Sequence, residues 1–255
     1  MNIELSATEV EICWKQLKLD EMPIVLDVPT LGGTDAERRQ IVTHTLDGLR
    51  ERRLLDQRGL DPDLAGMLVT LARHRWAAEA WLLLGRPVRA LAACRGEAAT
   101  LAVLEGNQCR LTSCSPHSLL DELVRIPGLT AGPGRSVTVR AENLDAAAQI
   151  ALGDMDLLAE LLTRHGERPD DAHTLARMCT KHRELGQFGA LVRDQLGRQS
   201  SSRRVIGLHA TPDGWYSQLR RAGHGGTFVT ITPASPEVVT TQLRDLLTET
   251  RRLAG

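Results

Sequence analysis

GLTAGPGRSVTVRAENL, residues 128–144, decides how the chain is divided. Its spaced glycines, Gly128, Gly132 and Gly134, suggest a loop that cradles a phosphate. Such a loop needs Gly-x-x-x-x-Gly-Lys-Ser/Thr running into a helix, because the helix N-terminus and consecutive N–H groups hold the anion. Here Pro133, which has no N–H, stands five residues after Gly128, and Arg135-Ser136 leads into the extended triplet Val137-Thr138-Val139. The segment reads as a joint between two pieces of protein.

Working outward, the two flanks repeat one order of elements. Before the joint, Ile3–Leu5 reads as a strand, and Ser6-Ala-Thr-Glu9 has the form of a capping box ahead of Val10, Cys13, Trp14 and Leu17 at helical spacing. Residues 20–33 read as an irregular connection; Thr34-Asp-Ala-Glu37 is a second capping box, opening a helix with Val42, Leu46 and Leu49 inward. Asp61-Pro62 starts a third helix through Leu64, Leu68 and Leu71. Then WLLLG, PVRALAACRG, AATLAVLEGN and QCRLTSC read as a four-stranded meander, and Ser115-Pro116 caps a helix carrying Leu119, Leu120 and Leu123.

After the joint, Val137 and Val139 match Ile3 and Leu5, and Leu144 stands where Val10 stood. Helical patterns follow around Leu157–Leu162 and Ala172–Cys179, the second closed by Gly186. FGALVRD, RRVIGLHA, WYSQLRR and GTFVTIT supply four more strands, and Ser235-Pro236 opens the last helix. The Ser-Pro pairs lie 120 residues apart and the first strands 134, so the halves match in order and nearly in length. The expectation is an α+β fold with a pseudo-twofold internal duplication: half-repeats 1–127 and 136–255 around a linker, 128–135, with the two meanders joined into one sheet.

Composition narrows the function. Lys plus Arg (31) nearly cancel Asp plus Glu (32), which removes the electrostatic case for nucleic acid or an acidic membrane surface. Four Trp, two Phe and one Tyr offer few faces for stacking bases. The N-terminus has no basic start or apolar run, and no stretch is long enough to span a bilayer, so a cytoplasmic protein is expected. Five scattered cysteines, Cys13, Cys94, Cys109, Cys114 and Cys179, suit reduced thiols acting as small hydrophobes.

The candidate chemistry thins out on inspection. Cys109 and Cys114, five apart on a strand, point to opposite faces and cannot readily share a metal. His173 and Cys179 have a poor ligand spacing, and His224-Gly225-Gly226 reads as a tight turn without a nucleophile elbow. Asp61 with Asp63, and Asp170 with Asp171, sit at helix starts, where capping and the helix dipole account for them. Trp81 fits either a core or a surface platform. No catalytic, cofactor or metal residue is assigned, and the expected surface is one suited to holding another protein.

LSATEVEICWKQLKLDEMPIVLDVPTLGGTDAER (5–38), RALAA (89–93), LAVL (101–104), GPGRSVTV (132–139) and LARMCTKHRELGQFG (175–189), with Arg203-Arg204-Val205 after it, together resemble the EspG family of ESX (type VII) secretion-associated proteins along essentially the whole chain. The resemblance implies a central antiparallel sheet flanked by helical bundles. It also implies a cytosolic chaperone, without enzymatic activity or cofactor, that binds the apolar tip of a PPE or PPE-like helical substrate, alone or as a PE/PPE heterodimer. By the same resemblance the partner surface takes in the turn Leu84, Gly85, Arg86 and Pro87, the sheet face, and Arg177, Met178, Lys181, Arg183, Gln187 and Phe188 beside the C-terminal bundle. Two alternatives stay open at this level: a regulatory scaffold of the same shape, and a small-molecule enzyme with a cleft between the halves, which would need a deep polar pocket.

Overall fold

The computed structural model describes residues 1–180 and 184–254. The first half runs β1 (Asn2–Ser6), α1 (Ala7–Gln16), a 3-10 turn (Ile24–Leu26), α2 (Asp35–Glu51), the short pair β2 (Leu55–Asp56) and β3 (Gly59–Leu60), and α3 (Pro62–Ala72). Its meander is β4 (Trp76–Leu83), β5 (Pro87–Arg95), β6 (Ala98–Glu105) and β7 (Gln108–Cys114), closed by α4 (Leu119–Arg125). The second half runs β8 (Val137–Arg140), α5 (Ala141–Ala151), α6 (Met155–Arg164), α7 (Pro169–Met178), β9 (Glu184–Arg193), β10 (Gln199–Ser201), β11 (Ile206–Thr211), β12 (Gly214–Gly223), β13 (Gly226–Pro233) and α8 (Pro236–Ala254).

The helix starts follow their local chemistry. Ser6 Oγ accepts from Glu9 N–H at 3.1 Å while the Glu9 carboxylate accepts from Ser6 N–H at 2.6 Å, and Thr34 with Glu37 closes the second capping box the same way. Asp61 accepts from the N–H groups of Asp63 and Leu64, with Pro62 at the first helical position where its missing N–H costs nothing. Three boundaries depart from the sequence reading. Ser115-Pro116 forms a turn ahead of α4, whose N-cap is Ser118. Gly186 lies inside β9 and does not end α7; a Cβ there would meet Leu82 Cδ2 at 2.6 Å, so close strand packing accounts for the glycine. The pairs β2–β3 and β9–β10 are too short to carry a two-residue period, which hid β2, β3 and β10.

The eleven strands other than β2 and β3 form one antiparallel sheet in the order β1-β7-β6-β5-β4-β9-β11-β12-β13-β8, with β10 on β9. Read inward from either edge, the order is the same: first strand, then the meander in reverse. The halves meet where β4 pairs with β9, from Trp76 opposite Val192 to Leu83 opposite Leu185. The pseudo-twofold axis passes through this pair, and neither meander keeps an exposed inner edge.

Alternation along the strands sends two sets of side chains to opposite faces. One face carries Ala78, Ala80, Ala90, Ala92, Phe188 and Ala190 and packs under α4 and α8, with Leu123, Leu243 and Leu246 inserted. Alanine on the strands lets these helices lie close to the sheet. The other face is covered near each end: α1, α2 and α3 bury Leu64, Leu68 and Leu71 against Leu91, Ala102 and Leu111, while α5, α6 and α7 bury Leu158, Leu162 and Leu175 against Val137, Val229 and Ile231. Each fully buried leucine contributes about 1.5–3 kcal/mol. Cys109 and Cys114 fall into different clusters, as opposite faces require. Burial pushes the thiols of Cys13, Cys109 and Cys179 up to about 12, which keeps them protonated and unreactive at neutral pH.

The joint 128–135 is fixed to the second half. Trp215 N–H donates to Thr130 O at 2.8 Å, Gly132 N–H donates to Trp215 O at 3.2 Å, and the buried Tyr216 hydroxyl donates to Pro133 O at 3.0 Å. A Cβ on Gly132 would lie 2.2 Å from Tyr216 Oη. Gly132→Ala is therefore expected to displace the Tyr216 ring and cost about 1–3 kcal/mol, read as a lower urea midpoint at unchanged slope. An unchanged midpoint would mean that the joint is loose.

Candidate partner-binding surface

Between the two bundles, the second sheet face is left open over β4 and β9. The side chains facing this gap are Glu79, Trp81 and Leu83 on β4 and Leu185 and Gln187 on β9, with Trp81 opposite Gln187 and Leu83 opposite Leu185. Gly189, opposite Glu79, and Gly207, opposite Gln187, add no side chains of their own, so the middle of the sheet forms a trough. Leu83, the last residue of β4, and Leu185, the second of β9, are 47% and 48% exposed at one end of the two central strands. An apolar pair held open beside an aromatic ring is the form of surface that buries a partner's apolar side chains.

Polar groups rim the trough. The Arg89 guanidinium on β5 stacks over the Trp81 ring, 5.9 Å from its centroid. Toward the C-terminal bundle the trough continues into a groove of about 550 Å³ between α5, α6 and strands β9, β11 and β12. Leu144, Ala148, Met155 and Leu185 give it an apolar lining, and Arg220 makes a bidentate ion pair with Asp145 at 2.6 and 2.8 Å along its wall. That hydrogen-bonded guanidinium holds the Asp145 carboxyl below its ordinary range. His209, also lining the groove, is fixed through Nε2 to Met178 O at 2.8 Å and stacks on Tyr216.

Glu79 is half-buried among these groups. Burial raises its pKa above the ordinary 4.5, and the Trp81 indole alongside offsets this in part by favouring the ionised form. An acid whose folded pKa is raised contributes full stability below its unfolded pKa and loses it as pH climbs toward the folded value. Glu79→Gln is therefore expected to melt higher than the parent at neutral pH, the advantage vanishing below pH about 4. A difference that persists at low pH would contradict this. Among the described residues no group of three His, Cys, Asp or Glu could hold a metal ion.

The residues expected from sequence divide into four sets. The turn Leu84, Gly85, Arg86 and Pro87 stands at the end of β4 where β9 begins, and Gly85 and Glu184 line one shallow cavity, so the turn and the start of β9 do converge. Gly85 takes a left-handed φ of +67°, and exposed Arg86 pairs with Glu105. Arg177 on α7 and Gln187 on β9 are exposed. Met178 (1% exposed) and Phe188 (0%) are core residues and cannot touch a partner directly. Met178 continues the inward stripe of Ala172, Leu175 and Ala176 on α7, and Phe188 alternates onto the face beneath α8. Lys181 and Arg183 lie outside the described residues. The resemblance groups Arg177, Met178, Lys181, Arg183, Gln187 and Phe188 as one face; the change from the helix ending at Met178 to the strand beginning at Glu184 splits the set. Leu83, Leu185, Glu79 and Arg89 were missed, although the strand period of WLLLG would put Trp81 and Leu83 on one face.

Among the described residues no helix is long and apolar enough to cross a membrane. No curated protein matches the chain. Among solved structures, that of the Mycobacterium tuberculosis type VII secretion system chaperone EspG5 in complex with PE25-PPE41 dimer is similar, with a TM-score of 0.75 at 16% identity over 98% of this chain and 96% of that one. The two share the fold. The sequence model of the EspG family matches residues 6–245. Matched from the last residue of β1 into α8, the chain belongs to the EspG family.

Proposed function

We propose that this protein is a cytoplasmic, non-enzymatic chaperone. It binds the apolar tip of a PPE-type helical secretion substrate, alone or within a PE/PPE heterodimer, keeps it soluble and helps direct it to type VII secretion. The observation that carries this reading is the open trough, with Leu83 and Leu185 exposed side by side next to Trp81 and a polar rim around them. An apolar centre ringed by arginine and amide groups is the arrangement that gives a protein interface both affinity and register. The PE25-PPE41 dimer held by EspG5, whose fold this chain shares, supports a PE/PPE partner.

The partner contacts proposed are Trp81, Leu83, the turn Leu84–Pro87, Arg177, Leu185 and Gln187, with Arg89 and Arg220 on the rim. Residues 1–127 and 136–255 act as two half-repeats of one EspG-like unit, joined by 128–135. The trough is built from β4 of one half and β9 of the other, so it exists only when both halves are present. Co-expression with each PPE-type protein from the same secretion locus, followed by size-exclusion chromatography with light scattering, should give a complex of defined stoichiometry around a substrate that is insoluble alone. Failure with every such substrate, the protein itself remaining folded, would reject the chaperone reading.

A further inference from the structure

At the far end of the central strand pair, away from the turn at Gly85, a cavity of about 540 Å³ is lined by Arg75, Arg193, Arg198 and Arg251 against a single acid, Asp194. Asp194 is already committed: it accepts from the N–H groups of Leu196 and Arg198 at 2.8 and 2.9 Å and from Arg198 Nε at 2.8 Å. Arg75, Arg193 and Arg251 have no carboxylate partner among the described residues, and Arg193 Nε is buried without an acceptor. Gathering like charges costs free energy unless an anion offsets it.

The duplication supplies an internal control. The symmetry-related corner has a cavity of the same size, about 540 Å³. The matching parts are the turn after the first meander strand (Gly85 for 194–198), the residue at the start of the other half's first meander strand (Glu184 for Arg75), and the chain just past or ending the helix beneath the sheet (Thr130 for Ala254), while the β11–β12 turn, residues 210–215, lines that corner alone. Among the described residues that corner is lined by Glu184 and Asp213 and by no arginine. Both ends of the central strand pair thus hold a cavity, and among the described residues only this one is lined by arginines. Their bases are held in place: Arg75 N–H donates to Cys94 O at 2.7 Å, Arg193 N–H donates to Arg75 O at 3.0 Å, and Arg251 stacks over Trp76 at 5.7 Å. A rigid backbone that presents several guanidiniums suits bidentate recognition of oxyanions.

We propose that this arginine-lined corner is a binding site for a multivalent oxyanion bearing phosphate or carboxylate groups, separate from the partner trough. The probes are pyrophosphate and citrate, titrated calorimetrically into the full chain at low ionic strength; saturable one-site binding of the first identifies a phosphate ligand, of the second a carboxylate one. Arg75→Gln with Arg251→Gln is expected to weaken binding roughly tenfold or more, as loss of hydrogen bonds to a charged group implies, and Arg193→Gln to do likewise. Arg110→Gln, whose parent side chain pairs with Glu4 on another edge of the sheet, should leave binding unchanged. Because Arg75 is exposed and Arg251 is on the surface of α8, the double variant keeps the test valid if Arg193→Gln fails to fold. Binding of neither probe, or equal binding by the double variant, would overturn the proposal.

Discussion

Replacing Leu83 by serine and Leu185 by glutamate is expected to abolish partner binding while leaving the melting temperature nearly unchanged. Both side chains are half exposed and opposite one another on β4 and β9, so neither substitution opens a cavity. Surface changes of this kind typically stay within about 0.5 kcal/mol each. In the complex, the same positions would be covered by apolar side chains, and the new carboxylate would be buried without a partner. A hot-spot residue at the centre of an interface costs about 2 kcal/mol or more, so with both positions acting as such the pair should weaken binding by roughly a thousandfold. One carboxylate is used instead of two because like charges directly opposite on antiparallel strands destabilise the sheet itself. Light-scattering mass of the co-expressed pair reads the outcome; an intact complex would show that the substrate sits elsewhere.

The second large effect is the opposite in kind. Phe188→Ala should cost about 3–5 kcal/mol of stability, and partner binding measured well below the melting transition should survive. Phe188 is fully buried, opposite Ala80 on one side and Ile206 on the other. Its neighbours on that face, Ala78, Ala80 and Ala190, are too small to collapse into the space the ring leaves. The denaturant midpoint should fall with its slope unchanged. If instead stability held and binding were lost, the ring would have to belong to the partner surface after all.

These two variants separate what neighbouring positions in one strand do. Leu185 and Phe188 are three residues apart and therefore on opposite faces, one open and one beneath α8. No periodicity within 177–189 could show this, because the period changes from helical to extended between Met178 and Glu184. The same limit explains why Met178 and Phe188 looked like neighbours of Arg177 and Gln187. A residue's face is defined only once its element is known.

The sequence by itself determined the longer elements and their order. Capping boxes at Ser6 and Thr34, the Asp61-Pro62 start, and the alternating apolar runs act within a few residues, so they are readable without knowing the fold. The repeat of that order on both sides of 128–135 implied two similar halves, and the proline in the joint removed the phosphate loop. Tertiary structure alone decided that β4 pairs with β9, because that contact joins residues about a hundred positions apart and depends on both halves being folded. It also decided that two bundles stop short of the axis and leave Leu83 and Leu185 exposed beside a partly buried Trp81, and that four scattered arginines share one corner while, among the described residues, none lines its symmetry mate. Hydrogen-bond caps and side-chain periods are local and survive translation into sequence; which surfaces remain open depends on how whole layers cover each other, and no local pattern encodes that.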